Sequence, residues 1–452
     1  MLWAFLLLVF ILSPVRNAWG DTAATIPTAR SLLTTGDLSL QEFEGSPLIQ
    51  HYSVGIVSGE PVNFFPWTVS LFAVPTVLVD DALFHMGIGQ SSYQHVMNAN
   101  TWALENVTAS IVVALAIVVA AELIYQRIQA SSARRRATWA TLTAIIIGLG
   151  TSAWSAASRS LSQLGPSLLF SFLTLLIATH FLRSTEDDRR SRLLAASLGA
   201  VLAFAYTTRP TNAVGLALLS VWLVTRSLPH LVPYLAGIIT VLGTWATFNV
   251  MNGLGVIPSY NNAGRLGLHP RFVEALAGNL VSPARGLFVF SPFLLFAFVG
   301  ALHVLRTGSK DGLEWFAMPA SVGLWVGISM FPHWWGGHSF GPRLMTDTIP
   351  FLVILVIPFI GKLDASAVVF VGGGHKFARV VGLFGVVVVS CWSVLAHAQG
   401  AIMGEPSCWN RVPADIDQDP SRVWDLEDPQ VTSGLRHLLG GTPRTNQKWK
   451  CL

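Results

Sequence analysis

"VTASIVVALAIVVAAELIYQRIQASSARRRA" (residues 107–137) decides the fold. Its first twenty residues hold one charge, Glu122, and that length of apolar chain crosses a bilayer as an α-helix. Four arginines then fall within eleven residues, and such a cluster marks a cytoplasmic loop. Similar runs recur at 2–18, 63–82, 137–153, 166–182, 193–208, 211–225, 231–250, 286–305, 315–331, 346–361 and 378–397. Of the 452 residues 52% are apolar and only 12% charged, and the mean hydropathy is +0.55. A soluble domain carries about twice that charge. The expectation is an all-α polytopic membrane protein of about 11–13 membrane segments. A β-barrel is excluded, because barrel strands alternate apolar and polar residues instead of running apolar.

The loop "RSTEDDRRSR" (183–192) is also basic. Two spans separate it from 127–137, so both lie on one side. Counting forward places "TTRPTN", the 251–285 loop, "HWWGGHSFGPR" and the tail after 398 on the opposite, extracytoplasmic side. Counting backward places 20–62 and 83–106 there too. The 63–82 run then cannot cross once; it is re-entrant, a short hairpin broken at Pro75, or followed by a weak return crossing. The organisation is a membrane domain, 1–397, with a first exported loop at 20–62, and a short exported tail, 398–452. The opening "MLWAFLLLVFILSPVRNAWG" resembles a signal peptide ending near Ala18-Trp19-Gly20, but it lacks a basic start and reads better as a retained helix. Either way Asp21 is exported.

The net charge of +4 resides largely in short loops, so it reports orientation and not nucleic-acid binding. No Walker-type phosphate loop and no CxxC pair occurs. No internal repeat is visible, which counts against the common transporter architectures. Cys391 lies in an apolar run as a small hydrophobe. An exported tail would permit a Cys408–Cys451 disulfide.

The outer side collects Asp21, Arg30, Asp80, Asp81, Arg209, Tyr260, Arg265, His269, Arg271, Arg285, His333, Trp334, Trp335, His338, Arg343 and Asp347. In "HWWGGHSFGPRLMTDTIP" (333–350), Gly336, Gly337 and Gly341 open conformations closed to other residues, and Pro342 and Pro350 interrupt helix bonding. Trp334 and Trp335 suit a membrane interface or a sugar face. Arg343 offers a fork for phosphate, with His338 as a second donor. Arg285 in "NLVSPARGLFVFSP" (279–292) and Arg209 in "TTRPTN" (207–212) stand at span ends, where they grip a bound anion or reach lipid headgroups. Asp21 reads either as a helix N-cap or as a partly desolvated general base.

These motifs, in this order and on one side, resemble the GT-C superfamily of integral-membrane glycosyltransferases that use polyprenyl-phosphate sugars. Its members include protein O-mannosyltransferases, aminoarabinose transferases and arabinosyltransferases. The resemblance covers the membrane region to about residue 397. It implies a helical bundle with juxtamembrane helices in the first exported loop. It implies a catalytic acid there, at Asp21, that deprotonates the acceptor hydroxyl. The partners it implies are a polyprenyl-phosphate-linked sugar donor, a glycan, lipid or protein acceptor, and membrane lipids, in a bacterial inner or plasma membrane and in cell-envelope assembly. Arg209, Arg285, Arg343 and His338 would receive the departing phosphate. Asp80 or Asp81 would be a second acid that orients the acceptor. Trp334, Trp335 and Tyr260 would contact sugar or lipid. Inversion at the anomeric carbon is the expected outcome. The chain departs from the family in having one acid, in "GD", where two are usual. Some relatives bind Mg2+, Mn2+ or Ca2+, and no acid set for a metal is identifiable in the sequence. The alternatives are a transporter or flippase, or a polymerase or ligase, of lipid-linked saccharides. A transporter calls for charges through the bilayer depth, whereas here they gather at span ends.

Overall fold

The apolar run at 107–126 lies in helix α5 (Trp102–Arg127) of the computed structural model, which describes residues 1–15, 20–130, 132–184, 188–309, 311–369 and 376–440. Before it come α1 (Leu2–Leu12), α2 (Thr25–Thr34), the hairpin β1 (Val54–Val57) and β2 (Glu60–Asn63), α3 (Val74–His85) and α4 (Ser92–Met97). After it come α6 (Ala133–Leu149), α7 (Leu164–Leu182), α8 (Arg189–Thr208), α9 (Ala213–Arg226), α10 (Leu231–Met251), α11 (Phe272–Val281), α12 (Leu287–Phe290), α13 (Phe296–Thr307), α14 (Leu313–Ser329), α15 (Ile349–Val369) and α16 (Lys376–Ile402). The tail adds the short α17 (Glu405–Cys408) and α18 (Ser433–Leu438). The protein is a polytopic helical membrane protein. Among the described residues, six helical segments are long and apolar enough to cross a membrane. They correspond to α5, α7, α8, α10, α15 and α16. Shorter helices of 11 to 17 residues, α1, α6, α9, α13 and α14, run beside them.

Contacts between loops define two ends. At one end Arg127 pairs with Asp311 at 2.9 Å and Glu314 at 2.6 Å, and Arg135 with Asp364 at 2.7 Å. This end gathers the basic loops. At the other end Thr68 donates to Thr207 O (2.7 Å), Trp67 to Asn249 (2.8 Å), and Ser282 to Val423 O (2.7 Å). The grouping is the one that charge and span counting predicted. Isolated charges are costly at the depth of the apolar spans, so the polar residues separate to the ends.

The 63–82 run does not cross. A 3-10 turn (Trp67–Phe72) leads into α3, and both ends of the run meet the same loops: Thr68 donates to Thr207 O, and Asp81 pairs with Arg30 of the loop that holds Asp21. Pro66 and Pro75 divide the segment. Everything from Gly20 to Thr101 therefore belongs to one loop, longer than the expected 20–62. Its own small core packs Ile26, Phe43, Leu48, Val77 and Val96. α1 packs against the bundle through Leu6 and Phe10, and the buried Arg159 ties its end by donating to Phe10 O and, at 2.8 Å, to Ser13 O. Cys391 faces outward from α16. Cys451, and with it the expected Cys408–Cys451 pairing, lies outside the described residues.

Glycines set the closest helix contacts, as in other membrane bundles. A Cβ on Gly199 of α8 would stand 2.0 Å from Tyr234 O of α10, and one on Gly237 of α10 would stand 2.1 Å from Ala196 O of α8. Gly300 of α13 meets Leu355 O of α15 in the same way, at 1.8 Å. Neither backbone can yield without separating the helices. Gly199→Leu should therefore lower the unfolding free energy in detergent steeply, by about 3 kcal/mol or more. Gly243→Leu on α10, where a Cβ meets nothing, should leave it nearly unchanged.

Candidate active site

Residues 20–25 form tight turns, with Ala23 N bonded to Gly20 O and Thr25 N to Thr22 O. Helix α2 starts only after them and has Ala24 as its N-cap, with no side-chain cap. Asp21 is therefore not a helix cap. Its two oxygens point elsewhere. Oδ1 accepts from the Tyr52 hydroxyl at 2.9 Å, and Oδ2 accepts from Arg343 Nη2 at 3.1 Å. The carboxylate is 38% exposed, so it is held on both sides while still open to a reactant. Burial, and then the Asp21 charge, pushes the Tyr52 hydroxyl above its ordinary range, so it remains a donor.

Arg343 owes its place to the glycine turn before it. Gly336 and Gly337 have φ of +73° and +63°. A Cβ on Gly336 would come within 3.3 Å of Arg343 Nε, and one on Gly337 within 3.3 Å of His333 Nε2. The chain then forms a 3-10 turn, Arg343–Thr348. Arg343 faces Asp21, while Asp347, four residues on, is fully buried. Asp347 accepts from Arg209 Nε (2.5 Å), Thr211 Oγ1 (2.6 Å) and Ser167 Oγ (2.7 Å). Arg209 thus locks the 3-10 segment that starts at Arg343 to the end of α8.

Arg285 is fully buried and all five of its N–H donors are engaged. Nε donates to Trp335 O (2.6 Å). Nη1 donates to Ala284 O (2.9 Å) and to Gln430, and Nη2 to Gly337 O (3.1 Å) and Asn410 Oδ1 (2.8 Å). All of these acceptors are neutral. Burial, aided by the nearby Arg343 charge, pulls its pKa down to about 9, so it remains a cation at neutral pH. Expected to bind phosphate, it instead fastens the 333–341 turn to the tail, with no N–H left for a ligand. Its charge still acts on the site as a field.

The tail supplies two acids to the same turn. His338 Nε2 lies 2.9 Å from Asp415 Oδ1, and His333 Nε2 lies 2.9 Å from Asp417 Oδ1. Trp335 donates to Asp417 at 2.8 Å, and its ring stacks obliquely on His333 at 4.3 Å. Trp334, expected at a sugar or lipid face, is 1% exposed and packs edge-on against Gly278, so it is a core residue. Tyr260 lies with Phe64, Phe65 and Trp67 in the wall of a cavity of about 230 Å3, and Arg265 sits over its ring at 4.9 Å. Asp81 pairs with Arg30 at 2.7 Å, and Asp80 lies 3.8 Å from His95. Burial raises the Asp80 pKa. The described partners of these two acids include none of those of Asp21. The structure thus joins Asp21 with Arg343, and Arg285, from between α11 and α12, fastens the turn that carries His338. Arg209 holds the 3-10 segment after that turn, and Asp80 and Asp81 stand apart with α4. Tyr52 and Gln430 carry no local sequence signal. Asn410, Asp415 and Asp417 lie in "CWNRVPADIDQDP" (408–420), a stretch that reads in the sequence as a cap on the site, an acceptor contact or a plain cover, without singling out these residues.

Arg285→Ala would leave buried carbonyls without donors. It should cost about 3 kcal/mol or more in detergent unfolding and make the tail more sensitive to protease. Arg343→Ala, at a half-open site, should leave the unfolding free energy within about 1 kcal/mol of wild type.

No protein-family model matches the chain, and no curated protein matches it. Among solved structures it is similar to the crystal structure of ArnT from Cupriavidus metallidurans bound to undecaprenyl phosphate, at 15% identity and a TM-score of 0.46, over 89% of this chain and 74% of that one.

Proposed function

We propose that the protein is a membrane glycosyltransferase that moves a sugar from a polyprenyl-phosphate donor to an acceptor hydroxyl at the extracytoplasmic face. The single observation that carries this reading is the Asp21 carboxylate held between Tyr52 and Arg343 at one end of a membrane bundle. A base and a phosphate-sized cation stand side by side there, and the base caps no helix. The order of motifs in the sequence supports the same reading.

In the proposed reaction the acceptor oxygen attacks the anomeric carbon while its proton passes to Asp21. The bond from that carbon to the phosphate oxygen breaks, and its electron pair leaves with the polyprenyl phosphate. Arg343 turns from Asp21 toward the departing phosphate as negative charge grows there, and the fixed charge of Arg285 favours the same anion. A single displacement with no covalent enzyme intermediate inverts the anomeric centre. The separation of charges onto the ends supports surface chemistry over passage through the bundle.

The test is release of polyprenyl phosphate by purified protein given polyprenyl-phosphate sugars and candidate acceptors. Asp21→Asn should lower turnover by about 100-fold or more, the scale of a lost general base. Equal turnover in both proteins would reject the role. Arg343→Ala should weaken both donor binding and turnover, and Arg343→Lys should recover only part, because an ammonium lacks the guanidinium fork.

A further inference from the structure

Across the turn from Asp21, two histidines and two aspartates converge from separate parts of the chain. His338 is one of the pair on the turn, and Asp415 and Asp417 come from the tail. One ligand-capable atom from each of these three lies within 4.8 Å of the others. His333 adds a second imidazole, 2.9 Å from Asp417 Oδ1. The carboxylates are also aimed. Trp335 Nε1 donates to Asp417 Oδ1 at 2.8 Å, and Asp417 N donates to Asp415 Oδ1 at 2.9 Å. Outer hydrogen bonds of this kind orient carboxylates that hold a metal. The adjoining positive-φ glycines let His333 and His338, five residues apart, both face the tail.

We propose that His338, Asp415 and Asp417, with His333 beside them, bind one divalent transition-metal ion, and that the ion clamps the tail onto the glycine turn. Mixed imidazole and carboxylate donors suit Zn2+ or Mn2+, whereas Mg2+ and Ca2+ favour all-oxygen shells. Closing the set onto a zinc ion needs an inward movement of about 1 Å, since zinc–ligand bonds are about 2.1 Å. The side chains are 30–40% exposed, so an ion has a route in and the side chains can move. The site is separate from the proposed transfer: Asp21 is not a ligand, and the clamp acts on the tail.

The test uses the untagged full-length protein in detergent, stripped with EDTA, dialysed and titrated with Zn2+. Bound zinc is counted by mass spectrometry of the metal, and tail closure is followed as trypsin cleavage at Arg411. We expect about one zinc per chain and a slowing of cleavage of about tenfold or more. The Asp415→Asn/Asp417→Asn double variant should bind at least tenfold more weakly and gain no protection. His338→Ala, at a half-open position that tolerates truncation, should do the same. Asp21→Asn should keep its zinc, so loss of transfer and loss of the ion are read independently. No zinc above background in the wild type, or equal zinc in His338→Ala, overturns the proposal.

Discussion

A carboxylate and a guanidinium 322 positions apart in the chain meet at 3.1 Å, and the architecture of this end of the bundle serves that contact. A half-exposed pair holds itself together only weakly. Its geometry therefore has to come from the backbones on either side. The turn at 20–25 delivers the acid. The glycine turn and the 3-10 segment after it deliver the guanidinium, and the buried Asp347–Arg209 pair braces that segment. Arg285 fastens the turn to the tail. Weak central contact and rigid surroundings leave a pair that can part and re-form without disturbing its supports.

The two arginines nearest the pair illustrate a division that composition cannot show. Arg285 has exhausted its donors on carbonyls and amides, so it can no longer grip an anion, yet its charge persists. Arg343 has one nitrogen on Asp21 and a buried Nε with no partner. The first supplies field and fastening, and the second supplies contact. Burying a cation among neutral acceptors is tolerable only when every N–H is matched. That requirement explains why Gln430 and Asn410 are drawn in from the tail.

What the sequence made legible is what physics encodes locally. Apolar run length and basic loops depend on neighbours in the chain, and they sorted the loops correctly onto two ends. Pro75 similarly hinted that 63–82 would not cross. Asp21 was legible as a residue of interest, but whether it caps a helix was not, because that rests on the turns that delay α2 to Thr25. The partners of Arg209 and Arg285 were illegible for another reason. Asp347 lies 138 positions from Arg209, and Gln430 lies 145 from Arg285. No periodicity carries information over such separations. Trp334 was misplaced because an interface tryptophan and a core tryptophan look alike until Gly278 is seen beneath it.

The pairing of early and late residues also sets an order of assembly. Asp21 is synthesised before α5, whereas its partner Arg343 follows α14 and the acids at 415 and 417 follow α16. The carboxylate must therefore wait without its arginine, with only Tyr52 of its two partners made, while the intervening helices enter the membrane. A chain halted at any point before the tail emerges would hold an unpaired histidine couple and an unfastened turn, so the turn is locked only after Asn410 and Gln430 have been made.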